Sequence, residues 1–124
     1  DGWPQNIVDI KCGDNHTIVL TSEQEVYSQG EDYFGQIGRK EDDKSNLMSK
    51  IPHLSNIIRI ECGNNYTLCI DSNHQLYVFG NNEHGQLGLG DTDRRYTPIK
   101  HPSLSNIIDI SSRGDHSFVK TSNN

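Results

Sequence analysis

Three segments of this chain, spaced fifty residues apart, carry one pattern. Residues 7–17 read Ile-Val-Asp-Ile-Lys-Cys-Gly-Asp-Asn-His-Thr. Residues 57–67 read Ile-Ile-Arg-Ile-Glu-Cys-Gly-Asn-Asn-Tyr-Thr, and residues 107–117 give a looser third copy. No gap is needed to align them. From Ile7 to Lys40, 12 of 34 positions are identical to the next copy, which fixes the register of the repeat. A constant period of this length marks a repeat architecture, in which one unit cannot bury its own apolar faces and must stack on its neighbours. The repeats are expected at 7–56, 57–106 and, in part, 107–124, all within one domain.

Each period holds strand-like stretches divided by turn chemistry. The first covers residues 7–11, 57–61 and 107–111, short and β-branched. The second covers 16–20, 66–70 and 116–120. In its first copy Ile18 and Leu20 share a face, the period of two that defines a strand. The third covers 25–29 and 75–79, each closed by a glycine, Gly30 and Gly80. A fourth, outer strand is expected at 47–51 and 96–100, where Pro52 and Pro98 suit an edge that can spare a donor. The turn Cys12-Gly13-Asp14-Asn15 and its copy Cys62-Gly63-Asn64-Asn65 join the first two strands with residues that favour turns. After the third strand come Gly35-Gln36-Ile37-Gly38 and Gly85-Gln86-Leu87-Gly88, an aliphatic plug between glycines that let the backbone bend. Strands one to three are therefore expected to form an antiparallel meander. A charged loop over 39–46 should be mobile.

Composition narrows the function. Hydrophobic residues make up 31% of the 124 positions and the net charge is −6. That balance disfavours a general polyanion binder, which needs a basic face. Arg94, Arg95 and Lys100 form the one tight cationic group. No apolar run approaches the roughly 18–20 residues that span a bilayer, and no signal segment opens the chain. Three cysteines, Cys12, Cys62 and Cys69, give no complete disulfide framework, so they read as reduced thiols of an intracellular protein, cytoplasmic or nuclear.

The chemically suggestive residues mostly belong to the repeat. His16, Tyr66 and His116 share one position, and a metal ligand would not alternate with tyrosine. Their expected role is a hydrogen bond that buttresses the turn at the strand start. Cys12 and His16 begin different strands and have no orienting carboxylate in a recognisable pattern. His53, His74, His84 and His101 are expected at the surface. Glu41-Asp42-Asp43 lacks the alternating oxygens of a calcium loop. Gly85, Gly88 and Gly90 are not followed by the Lys-Ser/Thr of a phosphate loop. Asn15-His16-Thr17 and Asn65-Tyr66-Thr67 fit a glycosylation triplet, but the repeat turn explains both. No catalytic residue, cofactor or metal is expected.

The string Leu76-Tyr77-Val78-Phe79-Gly80-Asn81-Asn82-Glu83-His84-Gly85-Gln86-Leu87-Gly88-Leu89-Gly90, following Ile57–Thr67, resembles the repeat of the regulator of chromosome condensation family. The resemblance covers nearly the whole chain. It implies an all-β fold, a partial β-propeller of about two and a half four-stranded antiparallel blades out of the family's ring of seven. The first copy departs from the pattern at Ser28-Gln29 and Arg39-Lys40, and the third at Arg113. The structural positions are Cys12, Gly13, His16, Gly30, Gly35, Gly38, Cys62, Gly63, Tyr66, Gly80, Gly85, Gly88 and His116. Arg39, Lys40, Arg94 and Arg95 are candidate binding-loop residues.

An open arc exposes an apolar face at each end, together with unpaired strand edges. The chain is therefore expected to be part of a larger propeller, or to complete one with copies of itself or with other chains. The leading function is a non-catalytic protein–protein interaction scaffold using rim loops at 31–35, 39–46 and 81–97. Two alternatives come from the resemblance: nucleotide exchange on a Ran-like small GTPase, and chromatin association through Arg94-Arg95.

Overall fold

The computed structural model describes residues 3–39 and 46–122. Lys40 and Glu41-Asp42-Asp43 lie outside the described residues. The first sheet is an antiparallel meander of β1 (Ile7–Cys12), β2 (His16–Thr21), β3 (Val26–Gly30) and β4 (Ser49–Lys50). The second repeats it with β5 (Ile57–Cys62), β6 (Tyr66–Asp71), β7 (Leu76–Gly80) and β8 (Arg95–Lys100). The third has β9 (Ile107–Arg113) and β10 (His116–Thr121). The described residues contain no helix, so none is long and apolar enough to cross a membrane. The molecule is an all-β partial propeller of two complete blades and a half blade.

Two apolar layers hold the sheets together. Between the first and second lie Ile18, Leu20, Val26 and Ile51, facing Ile57, Ile60, Cys62, Cys69 and Phe79. Between the second and third lie Leu68, Ile70, Leu76 and Leu87, facing Ile107 and Ile110. The layers are made by repeat-equivalent positions, so each blade offers one face forward and one back. Burying apolar surface at about 25 cal/mol per Å² makes these layers the main cohesive force.

The alternation within the first strand of each blade is interrupted at one repeat position. The register shifts between Ile7 and Asp9, and again between Ile57 and Arg59. In the third sheet it shifts opposite Lys120 and Thr121. Each is a β-bulge, which adds an unpaired residue and re-aims its neighbours. The bulge explains why Ile57 and Ile60, three apart, are both buried while Ile58 is exposed. Asn6, Asn56 and Asn106 precede it with φ of 57–58°, a left-handed conformation that asparagine tolerates. Their carbonyls accept the amides of Ser22, Ser72 and Ser122.

The strand bounds shift from expectation by a residue or two in most strands, and two of the shifts have a visible cause. The third strand of the first sheet starts at Val26, because Glu25 closes the preceding turn through both its amide and its carbonyl on Thr21. The expected strand at 47–51 contracts to Ser49–Lys50. Its Leu47 carbonyl accepts Arg39 Nη2 at 3.2 Å instead of extending the ladder. In the second sheet the ladder runs on to Gly80↔Arg95. It passes Pro98 through an irregularity between Val78 and Gly80, where a missing donor is tolerated.

Candidate interaction surface

The turn between the first two strands of each blade reaches the neighbouring blade. Gly13 N–H donates to His16 O, and Gly63 N–H to Tyr66 O, closing tight hairpins. A Cβ on either glycine would collide with the ring of His16 or Tyr66, which lies across its own turn. The next amides cross between blades: Asp14 N–H donates to Asn64 O and Asn64 N–H to Gly114 O, both at 2.9 Å.

The buttressing bond expected within the turn is replaced by bonds between blades. His16 Nε2 lies 3.0 Å from Thr67 Oγ1. Since the Thr67 hydroxyl donates to Gln36 O at 3.0 Å, His16 Nε2–H must donate to Thr67. Its buried Nδ1 is then unprotonated and has no side-chain hydrogen-bond partner among the described residues. Burial pulls the His16 pKa down to about 4, outweighing a backbone hydrogen bond with Tyr66 that favours the charged ring, since a buried imidazolium loses its water. At the second joint Tyr66 Oη donates to His116 O at 2.8 Å, so the longer tyrosine reaches backbone where histidine reaches a hydroxyl. Burial pushes the Tyr66 phenol up to about 12.

The glycines of the plug segment show how the joint closes. Gly35, at φ 86°, lies against the backbone of Arg95 and Tyr96. Gly38, at φ 70°, lies against the Phe79 ring. Ile37 and Leu87 fill the core as plugs. Gly30 and Gly80 press on the backbones of Asn15–His16 and Asn65–Tyr66. Gly85, at φ 71°, has nothing within 4 Å of a would-be Cβ, and Gly88 meets His101.

Arg39, Arg94 and Arg95 are spent on the protein itself. Arg39 is buried, with Nη2 on Leu47 O, so it does not serve as an exposed binding-loop residue. Arg94 stacks over Tyr33 and Phe34 at 4.7 and 5.0 Å and donates to Tyr33 O. Arg95 makes a two-pronged contact with Asp91, at 2.8 and 3.3 Å. The loop after β7 is tied down as well. Asn82 Nδ2 donates to Asp91 Oδ1, Asp91 O and Asp93 O, and Asn82 is buried.

Of the four loop histidines, His101 is not at the surface. It is buried, with Nε2–H donating to Gly88 O at 2.7 Å and Nδ1 accepting the amides of Ser103 and Leu104. Sequence reasoning missed it, although the Pro that follows marks a turn for such a side chain to cap. Cys62 and Cys69 are buried free thiols whose pKa values burial pushes up, the setting of inert packing residues. Cys12 is a free, exposed thiol. No cluster of His, Cys, Asp and Glu among the described residues could hold a metal.

What remains exposed is the surface a further blade would cover. Ile7 and Ile10 are 37% and 46% exposed, whereas Ile57, Ile60, Ile107 and Ile110 are at most 3% exposed. At the other end Phe118 is exposed where Ile18 and Leu68 are buried. The bulges add Val8, Ile58 and Ile108, all exposed. A groove of about 300 Å³ opens beside β10, lined by Gly85, Gln86, Leu87, Leu104 and His116 among others.

Comparison with known proteins agrees with this geometry. A family model described as "Regulator of chromosome condensation (RCC1) repeat" matches residues 23–70 and 73–119. A second model of the same description matches 7–36 and 57–86. The unit 23–70 begins before β3 and ends in β6, so it straddles two sheets. The crystal structure of Prp20p from Saccharomyces cerevisiae is similar, with a TM-score of 0.87 at 22% identity, over 94% of this chain and 32% of that one. Human WBSCR16 gives 0.83 at 25% identity, over 94% and 31%. The structure of Kap60 bound to yeast RCC1 (Prp20) gives 0.83 at 22% identity, over 97% and 29%. The chain thus spans about a third of the length of the solved chains it matches. No curated protein sequence matches it.

Proposed function

The chain belongs to the regulator of chromosome condensation (RCC1) repeat family, and from that premise we propose that it is a non-catalytic protein–protein interaction scaffold. Its working surfaces are its open blade faces. The observation that carries this reading is the exposure of Ile7 and Ile10 at positions whose equivalents in both later blades are buried. Such a face releases free energy when another blade covers it. The covering blade belongs to the rest of a larger propeller of which this chain is a piece, or to a further copy of the chain or another protein that completes the ring.

Sedimentation equilibrium tests this. The chain should form a discrete assembly as its concentration rises, and Ile10→Asp should abolish it by placing an unpaired charge in the joint. Ile10→Asp and wild type both remaining monomeric, with no protein partner retained on the wild-type face alone, would refute the reading.

Prp20p has binding properties to Gsp1p and histones, in the words that describe its structure. Exchange on a small GTPase and chromatin association are the corresponding readings for this chain. Among the described residues no side-chain arrangement favours either. Arg94 and Arg95 are engaged within the fold. Unchanged nucleotide release from a Ran-like GTPase at micromolar protein would remove the first reading, and unaltered nucleosome binding on changing both arginines to Ala would count against the second.

A further inference from the structure

We propose that Tyr33, Phe34 and Arg94 build a rim site for a lysine- or arginine-bearing segment of another protein. The incoming side chain packs its aliphatic stem on the Tyr33 ring and sets its charge beside Glu31 and Glu83. The site lies between the two complete blades and uses neither open blade face, so it adds a partner that blade-to-blade assembly does not require.

The aromatic residues that form it are not needed to build a blade. The loop after β3 keeps the repeat's Gly35, Gln36 and Gly38, matched by Gly85, Gln86 and Gly88. At the two positions before them it has Tyr33-Phe34, where the second blade has Glu83-His84. The second blade forms the same four-stranded sheet without an aromatic pair there. A tyrosine that serves the core is buried, as Tyr66 is at 0% exposure, whereas Tyr33 is 66% exposed. The chain thus presents a large ring to solvent, on a loop carried by a rigid sheet, where its own repeat shows that none is required.

The ring is also held, and by both blades. Within its loop Gly35 N–H donates to Asp32 O at 3.1 Å and Phe34 N–H to Gln36 Oε1 at 2.9 Å. From the second blade Arg94 Nη1 donates to Tyr33 O at 2.9 Å and reaches Tyr96 Oη at 3.3 Å. The Tyr96 hydroxyl donates to the same Tyr33 carbonyl at 3.4 Å. The Tyr33 and Phe34 rings meet edge to face at 4.8 Å, and the Arg94 guanidinium lies over both. Ordering side chains and loops is a large cost of association, and here the ordering is done on folding. Tyrosine and arginine are also among the residues that dominate binding energy in protein interfaces.

Charge selects the occupant. Arg94 directs its donors at Tyr33 O, Tyr96 Oη and the Glu83 carboxylate, 3.8 Å away. The Glu83 side chain is about half exposed, and Glu31, two residues from Tyr33, is exposed. An aromatic face flanked by carboxylates attracts a cation. Lysine and arginine carry theirs on an apolar stem that can lie along the ring. A partner rich in carboxylates or phosphates meets Glu31 and Glu83 with the same sign, which disfavours it. The chain's net charge of −6 also draws basic partners at longer range.

The test is a fluorescence-anisotropy titration of the 124-residue protein against a labelled Arg-Ala-Arg-Ala-Arg-Ala peptide at low ionic strength. Saturable binding is expected. Tyr33→Ala should weaken it at least about tenfold with an unchanged urea midpoint, and Tyr33→Phe should keep it within about twofold, because the ring makes the contact. Glu31→Gln and Glu83→Gln should each weaken it about threefold. Glu23→Gln, in the turn at the opposite end of β3, removes the same charge and should have no effect. Arg94→Ala adds net negative charge yet should weaken binding several-fold, since Tyr33 loses its brace. No binding up to about 1 mM peptide, a Tyr33→Ala affinity equal to wild type, or tighter binding by Arg94→Ala would overturn the proposal. So would a Glu23→Gln effect as large as that of Glu83→Gln, which would reduce binding to bulk charge, or preferential binding of a Glu-Ala-Glu-Ala-Glu-Ala peptide, which would make Arg94 the recognising group. Assembly that Ile10→Asp abolishes should be indifferent to Tyr33→Ala, so the two readings fall separately.

Discussion

The joint between the first and second blades and the joint between the second and third are built from the same positions, yet only the first is complete. In the first, Gly35 touches the backbone at Arg95, Gly38 lies under Phe79, and Gln36 Nε2 has an acceptor. In the second, a Cβ on Gly85 would meet nothing within 4 Å, one on Gly88 would meet only His101, and Gln86 Nε2 has no acceptor among the described residues. Inner-strand contacts survive in both, through Asn64 N–H on Gly114 O and Ile107 against Leu68 and Ile70. The difference teaches that each joint has two layers. The inner layer needs only the first two strands of the following blade. The outer layer needs its third and fourth.

The strongest way to break this comparison is to cut the outer layer where it exists. Phe79→Ala should cost about 4 kcal/mol, from lost burial plus a cavity. Phe118→Ala, at an exposed position, should stay within about 0.5 kcal/mol. Urea unfolding compares the two. Next comes the glycine pair. Gly35→Ala should cost about 3 kcal/mol, because its Cβ meets the Arg95 carbonyl and φ is unfavourable. Gly85→Ala should cost about 1 kcal/mol, from backbone conformation alone. Equal thermal shifts for the two variants would mean the joints are alike after all.

Acid provides a third test, specific to the first joint. His16 is neutral when folded, with a pKa of about 4, while the unfolded chain binds its proton near the ordinary imidazole value of 6.5. Between these values the unfolded state holds more protons, so stability is full above pH 6.5 and falls as the pH drops towards 4. The loss should reach about 2 kcal/mol by roughly pH 4.5, and His16→Phe should flatten that slope in denaturant titrations at stepped pH. The smallest effect belongs to the second joint. The Arg59–Asp109 pair, 2.7 Å apart, has side chains about half exposed, so Arg59→Ala should cost less than about 1 kcal/mol and vanish in high salt.

Much of this was legible in the sequence because the period of fifty compares each residue with its counterparts. The meander and the plug residues Ile37 and Leu87 follow from aligning copies, and the open ends from the resemblance to a closed ring of blades. The contacts between blades were not legible. His16 is expected to brace its own turn, and only the fold shows its Nε2 reaching Thr67 fifty-one residues away. Nor does the sequence show the bulges. A step of three between Ile57 and Ile60 contradicts simple alternation, and only the repeated Asn6, Asn56 and Asn106 hinted at a fixed backbone irregularity. Arg39 and His101 looked like surface residues because charge and loop position suggest exposure. Their carbonyl partners, Leu47 O and Gly88 O, are set by tertiary structure.

Residue-resolved hydrogen exchange, at a concentration where the chain is monomeric, tests the two-layer joint most directly. The outward-facing half of the β10 amides should exchange nearly as freely as unstructured chain, while their counterparts in β2 and β6, paired with β3 and β7, remain strongly protected. Comparable protection in β10, β2 and β6 would contradict the account, since it would mean that the outer layer of the second joint is already closed.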